Sequence, residues 1–179
     1  MKIIAPALLA CGLACAALQP AFGLDEVAPA AAPGPEAVAD DSYLDDRSTP
    51  VSLIGSLYNA INRHEYLRAW SYFAEDSGRP DFPAFQAGYE TTGGVRLKLG
   101  APSSDGAAGS VYTSVPTVIE ATGTDGAVRI FSGCYVTRFV QPANQATPPF
   151  MPLQITKATL RPARTTFDET SGDCPPDGE

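Results

Sequence analysis

The sequence predicts an α+β fold, helices first and then a mainly antiparallel sheet. Three observations carry that prediction. Ser48-Thr49-Pro50 supplies a hydroxyl cap and a first-turn proline ahead of Ile54, Leu57, Tyr58 and Ile61, whose three- and four-residue spacing makes one helical stripe. From Thr91 the period changes to two, with Val95, Leu97 and Leu99 alternating with Arg96 and Lys98. Two long β-rich runs, 110–122 and 127–140, flank Gly123-Thr124-Asp125-Gly126, a strong hairpin signal.

Before these elements come two segments of different character. Residues 1–23 read as a secretory signal: Lys2 gives the positive end, Ile3 to Leu18 is apolar, and Ala21-Phe22-Gly23 places small residues for cleavage. The run is shorter than the roughly 20 apolar residues of a membrane span, and nothing later in the chain is long enough to span a bilayer. The expected location is therefore periplasmic or secreted. Leu8-Leu9-Ala10-Cys11, and less well Gly12-Leu13-Ala14-Cys15, keep a lipoprotein as the alternative. Residues 24–47, rich in Ala, Pro and acid, read as a disordered leader that buries too little surface to offset chain entropy.

Within the domain expected at 48–167, the first helix ends or kinks at Asn62-Arg63-His64. A second stripe runs Tyr66, Ala69, Trp70 and Phe73 until Gly78-Arg79-Pro80 breaks it. Asp81 caps a short third helix reaching Tyr89, with Phe82, Phe85 and Tyr89 as its buried side. Ser103 to Gly109 reads as a loop. In the hairpin, one face is expected to carry Val118, Glu120, Arg129, Phe131 and Tyr135, and the other Ile119, Ala121, Val128, Ile130 and Cys134; Glu120 and Arg129 would then pair across strands. Both faces are substantially apolar, one for the helices and the other for a second copy or for the chain's own tail. Pro142 to Pro152 is a connection, and Leu153 to Leu160 a last strand. There is no internal repeat.

The charge sits in the tails. The chain of 179 residues has a net charge of −8, yet residues 24–46 and 168–179 carry twelve of its 20 Asp and Glu and no Lys or Arg. The domain between them is mildly cationic. A pI near 4.5, together with export, argues against a nucleic-acid partner. Of the 4 cysteines, Cys11 and Cys15 lie in the signal. Cys134 and Cys174 are the mature pair and read as one disulfide tying the acidic tail, 168–179, back to a strand.

Material for catalysis is sparse. His64 is the sole histidine and sits at a helix end, where it reads as solvated. No metal cluster, phosphate loop or nucleophile elbow is present, so neither a metal nor a cofactor is expected. Arg96, Lys98, Arg129, Arg138, Lys157, Arg161 and Arg164 are strand-region cations, read as a scattered solvated set unless several converge on an anion site.

The order of elements resembles the nuclear transport factor 2-like, or cystatin-like α+β cone, superfamily. The residues that carry the likeness are Tyr58-Asn59-Ala60-Ile61-Asn62 with Tyr66, Ala69 and Phe73, and the strand Phe131 to Arg138. That resemblance covers roughly 48–162 and looks closest to exported bacterial members. It implies a curved sheet around helices with an internal pocket, here lined by Tyr58, Trp70, Phe131 and Tyr135, and a possible homodimer through the sheet. Since this fold hosts many functions, two readings are open. One is non-catalytic binding of a small apolar or anionic ligand or of an envelope protein. The other is an isomerase- or dehydratase-like enzyme. In steroid-isomerase-like members a catalytic tyrosine stands at the place of Tyr58; its carboxylate partner would be Glu90 or Glu120.

Overall fold

The computed structural model describes residues 42–175. The signal expected at 1–23, Cys11, Cys15, most of the leader and the last four residues of the tail lie outside the described residues.

Local chemistry explains where the helices begin. The Thr49 hydroxyl accepts from the Ser52 amide at 3.0 Å and opens α1 (Pro50–Asn62), with Pro50 at a position where the helix needs no N–H. The helix stops where His64 takes a positive φ of 57°. α2 (Tyr66–Ser71) follows at once. Asp81 opens α3 (Phe82–Ala87) by accepting from the Ala84 amide at 3.0 Å. In the described residues these three helices precede five strands: β1 (Thr92–Leu99), β2 (Ser103–Ala107), β3 (Ser110–Gly123), β4 (Val128–Val140) and β5 (Leu153–Ala163). Every strand pairing is antiparallel, in the order β1-β3-β4-β5, with β2 also on β3, and the sheet is not closed. One parallel bridge, Phe73 to Ile155, ties the exit of α2 to β5.

The core lies between α1 and one sheet face. Leu53, Ile54, Leu57 and Ile61 are almost fully buried against Val95, Leu97 and Leu99 of β1, Val115 of β3 and Leu153 and Ile155 of β5. The helical stripe and the period-two strand read from the sequence meet here.

Two strand expectations are corrected. The segment 103–107, read as a loop, is β2. Its Ser-Ser-Asp-Gly-Ala sequence has no apolar alternation, and the edge of β3 makes it a strand, with Ser104 and Thr113 sharing a hydroxyl contact at 2.8 Å. β1 covers the later part of that edge and β2 the earlier, so both lie along one side of β3.

The hairpin faces also differ from the expected sets. The Gly123 amide donates to the Ala127 carbonyl at 2.8 Å and the Gly126 amide to the Gly123 carbonyl at 2.9 Å, with Gly126 at φ +79°. This is a three-residue loop ending on a left-handed glycine. An odd loop shifts the register by one residue and exchanges the partners on each face. Ala121 therefore opposes Arg129, Ile119 opposes Phe131, and Val115 opposes Tyr135. Glu120 opposes Ile130 and pairs instead with Arg96 of β1 at 2.9 Å.

The described borders of the expected leader and tail pack on the domain. Residues 42–47, the end of the expected leader, lie along α1 and α2. The Leu44 amide donates to Asn59 Oδ1 at 3.0 Å and the Asp46 amide to Ser56 Oγ at 2.8 Å. Arg68 donates to the Leu44 carbonyl, to Asn59 Oδ1 at 2.9 Å and to the Tyr72 hydroxyl at 3.0 Å, and pairs with Glu65 at 2.6 Å. Hydrogen bonds from polar side chains of α1 and α2 hold this segment. At the other end Cys134 and Cys174 form a disulfide. Phe167 is buried beneath Arg96 and Lys98, and Lys98 Nζ donates to the Phe167 carbonyl at 2.7 Å. Residues 167–174 thus lie against the sheet face opposite the helices.

Candidate functional site

A cleft of about 570 Å³ lies between the helices and the sheet face that carries Phe131. From the helical side come Tyr58 of α1, Phe73, Phe85 of α3 and Tyr89; from the sheet come Val95, Ile119, Ala121, Phe131, Tyr135 and Leu160. The corrected hairpin register is what aims Ile119, Ala121, Arg129, Phe131 and Tyr135 into one space.

At its buried end, the Tyr58 and Tyr135 hydroxyls stand 2.7 Å apart, and their rings meet edge to face with centroids at 6.2 Å. Burial raises both phenols well above the ordinary value of 10.0, with the neighbouring Tyr89 adding to it in each case. Both stay neutral at physiological pH and act there as hydrogen-bonding groups, not as bases. Tyr89, itself raised by burial, packs on Phe85 with centroids at 5.1 Å and stacks on Tyr66 at 6.2 Å. Towards the hairpin the lining becomes exposed at Ala127 and Arg129.

The charged groups of this lining are Arg79 and Arg129; it includes no Asp or Glu. Arg79 is half-buried. Its Cζ lies 3.5 Å from the centroid of the Trp70 ring, Nη1 donates to the Ala74 carbonyl at 3.2 Å, and its buried Nε has no partner.

Three of the four residues expected to line a pocket come together here: Tyr58, Phe131 and Tyr135. Trp70 does not join them. One ring face is under Arg79, its Nε1 donates to the Pro80 carbonyl at 3.1 Å, and it lines a second, more polar cleft of about 700 Å³ with Glu75, Asp76 and Arg138. Trp70 packs partly buried against the core beside the buried Ala69 and Phe73 of its stripe, but it does not line this cleft.

Neither candidate carboxylate reaches the phenols. Glu90 is exposed and outside the lining, and Glu120 faces the other side of the sheet with Arg96. His64 is exposed, with Nδ1 2.8 Å from the Tyr66 hydroxyl. Among the described residues no cluster of His, Cys, Asp and Glu fits a metal ion. Sequence reasoning missed Arg79, which it used only as part of a helix break, and it placed Arg129 opposite the wrong partner. The odd loop ending at Gly126 was the signal that could have placed Arg129.

No family model matches the chain, and no curated protein matches it. Solved structures resemble it at low identity. A conserved protein from Planctomyces limnophilus DSM 3776 is 15% identical, with a TM-score of 0.47, over 63% of this chain and 94% of that one. A function-unknown protein from Mycobacterium tuberculosis is 17% identical, with a TM-score of 0.45, over 66% of this chain and 72% of the other.

Proposed function

We propose that the protein is an exported domain of the nuclear transport factor 2-like α+β cone type, and that its cleft binds a small apolar or weakly anionic ligand without transforming it. One observation carries the reading: the cleft joins apolar and aromatic walls to a buried phenol pair and contains no carboxylate. Its volume of about 570 Å³ falls in the range of small-molecule sites, and an apolar concavity with a few convergent polar groups is their usual form. The isomerase- or dehydratase-like alternative needs a carboxylate beside Tyr58 to move a proton. Glu90 and Glu120 both stand elsewhere, which favours binding over turnover.

One feature supports export. The Cys134–Cys174 disulfide is of the kind that persists in oxidising compartments.

Native mass spectrometry of the chain purified from the periplasm of its own host tests the proposal. The expected result is a retained small-molecule mass that disappears in Ala121→Trp, which fills the cleft from β3. A bare chain, or one that retains only another protein, contradicts it; the latter result favours an envelope interaction platform.

A further inference from the structure

The polar groups of the cleft restrict its ligand more than its apolar walls do. Tyr58 and Tyr135 hold two hydroxyl protons and share one hydrogen bond. Whichever hydroxyl donates, the other proton has no acceptor among the described residues. A buried donor without an acceptor is costly and is rarely left so. This end of the cleft therefore asks for an acceptor oxygen.

The lining asks for negative charge at its other polar groups. Arg129 stands exposed on the sheet side, across from Ala121, and is in no ion pair among the described residues. Arg79 is likewise without a carboxylate there, its protein contacts being the Ala74 carbonyl and the Trp70 ring. A guanidinium presents several N–H donors in one plane and matches a carboxylate edge-on. No acidic side chain of this lining competes for either arginine, and Arg79, which also borders the second cleft with Glu75 and Asp76, forms no ion pair with them.

Given that the cleft is a ligand site, as proposed for this protein, we infer that the ligand is a compact amphiphilic carboxylate with an acceptor oxygen at its far end. The carboxylate lies toward Arg129 and Arg79, the apolar body against Ile119, Phe131 and Phe85, and a ketone-type oxygen accepts the uncommitted phenol proton. A purely apolar ligand leaves that proton unsatisfied, and a cationic one meets two like charges.

Isothermal titration calorimetry with three probes tests this: 4-acetylbenzoate, its methyl ester, and 4-isopropylbenzoate. 4-Acetylbenzoate is expected to bind best, with the ester weaker by about tenfold for loss of charge-assisted hydrogen bonds and the isopropyl acid weaker by roughly fivefold for loss of the acceptor. The acid-over-ester preference should vanish in Arg79→Gln/Arg129→Gln. The ketone-over-isopropyl preference should vanish in Tyr58→Phe/Tyr135→Phe, which removes both hydroxyls and leaves no buried one orphaned. Near-UV circular dichroism establishes that each variant is folded. An ester that binds as well as the acid, or a preference that survives its double variant, overturns the inference and leaves the cleft standing as an apolar site. Failure of all three probes to bind the folded protein overturns the reading of the cleft as well.

Discussion

At the residue scale the phenol pair decides most. Replacing Tyr135 by Phe leaves the Tyr58 hydroxyl buried without its partner at 2.7 Å, at an expected cost of about 1–3 kcal/mol. Replacing both removes the unsatisfied group too, so the double variant should lose less than the sum of the singles; a double-mutant cycle by urea unfolding measures it. The same phenols set an alkaline limit. Their folded pKa values are raised above an unfolded value near 10.0, so their contribution is complete below about pH 10 and is lost as pH climbs from there towards the folded values. Stability should fall above pH 10 and fall less steeply in Tyr58→Phe/Tyr135→Phe, as thermal unfolding across pH would show. The remaining slope belongs to Tyr89 and to Tyr72, which burial pushes up to about 12. Tyr58, Phe131 and Tyr135 were legible in sequence because large aromatics on regular elements face the interior. The stripe of Trp70 places it against the core with Ala69 and Phe73, as found, but periodicity does not say which of the two clefts its exposed part lines.

At the element scale, what the sequence states locally it states well. The Thr49 and Asp81 caps open α1 and α3 as their side chains require. β2 was illegible because its strand character comes from the β3 edge, a nonlocal cause, and the hairpin faces were lost by one residue in the turn. Residues 42–46 obey the same logic. Ser56 and Asn59 are buried on α1 because residues 42–46 place backbone there, and nothing in 24–47 alone announces it. Arg68 joins that segment to both helices, so Arg68→Ala should cost on the order of 2 kcal/mol and selectively remove hydrogen-exchange protection at the Leu44 and Asp46 amides. The disulfide spans a sequence separation of 40; reducing it should cost on the order of 4 kcal/mol in the chain-entropy account. A lowered urea midpoint in reductant, matched by Cys134→Ser/Cys174→Ser, checks this.

At the scale of the whole molecule, the two faces of the sheet have separate tasks. One builds the core and the cleft with the helices. The other is partly covered by the chain's own residues 167–174, with Val118 and Cys134 buried, so a dimer formed through the sheet would have to accommodate that segment. The net charge of −8 belongs to the tails, whereas the cleft's own charged groups are two arginines. Global composition thus points away from an anionic ligand, and local geometry points towards one. An NMR fragment screen of the oxidised chain, with a library balanced among acids, amines and neutral compounds, tests the central claim most directly. The account predicts that hits shift Tyr58, Ala121, Phe131 and Tyr135 together and that acids dominate among them. Hits that cluster on the second cleft around Trp70, or on the face beneath Phe167, with the cleft residues unmoved, would contradict it.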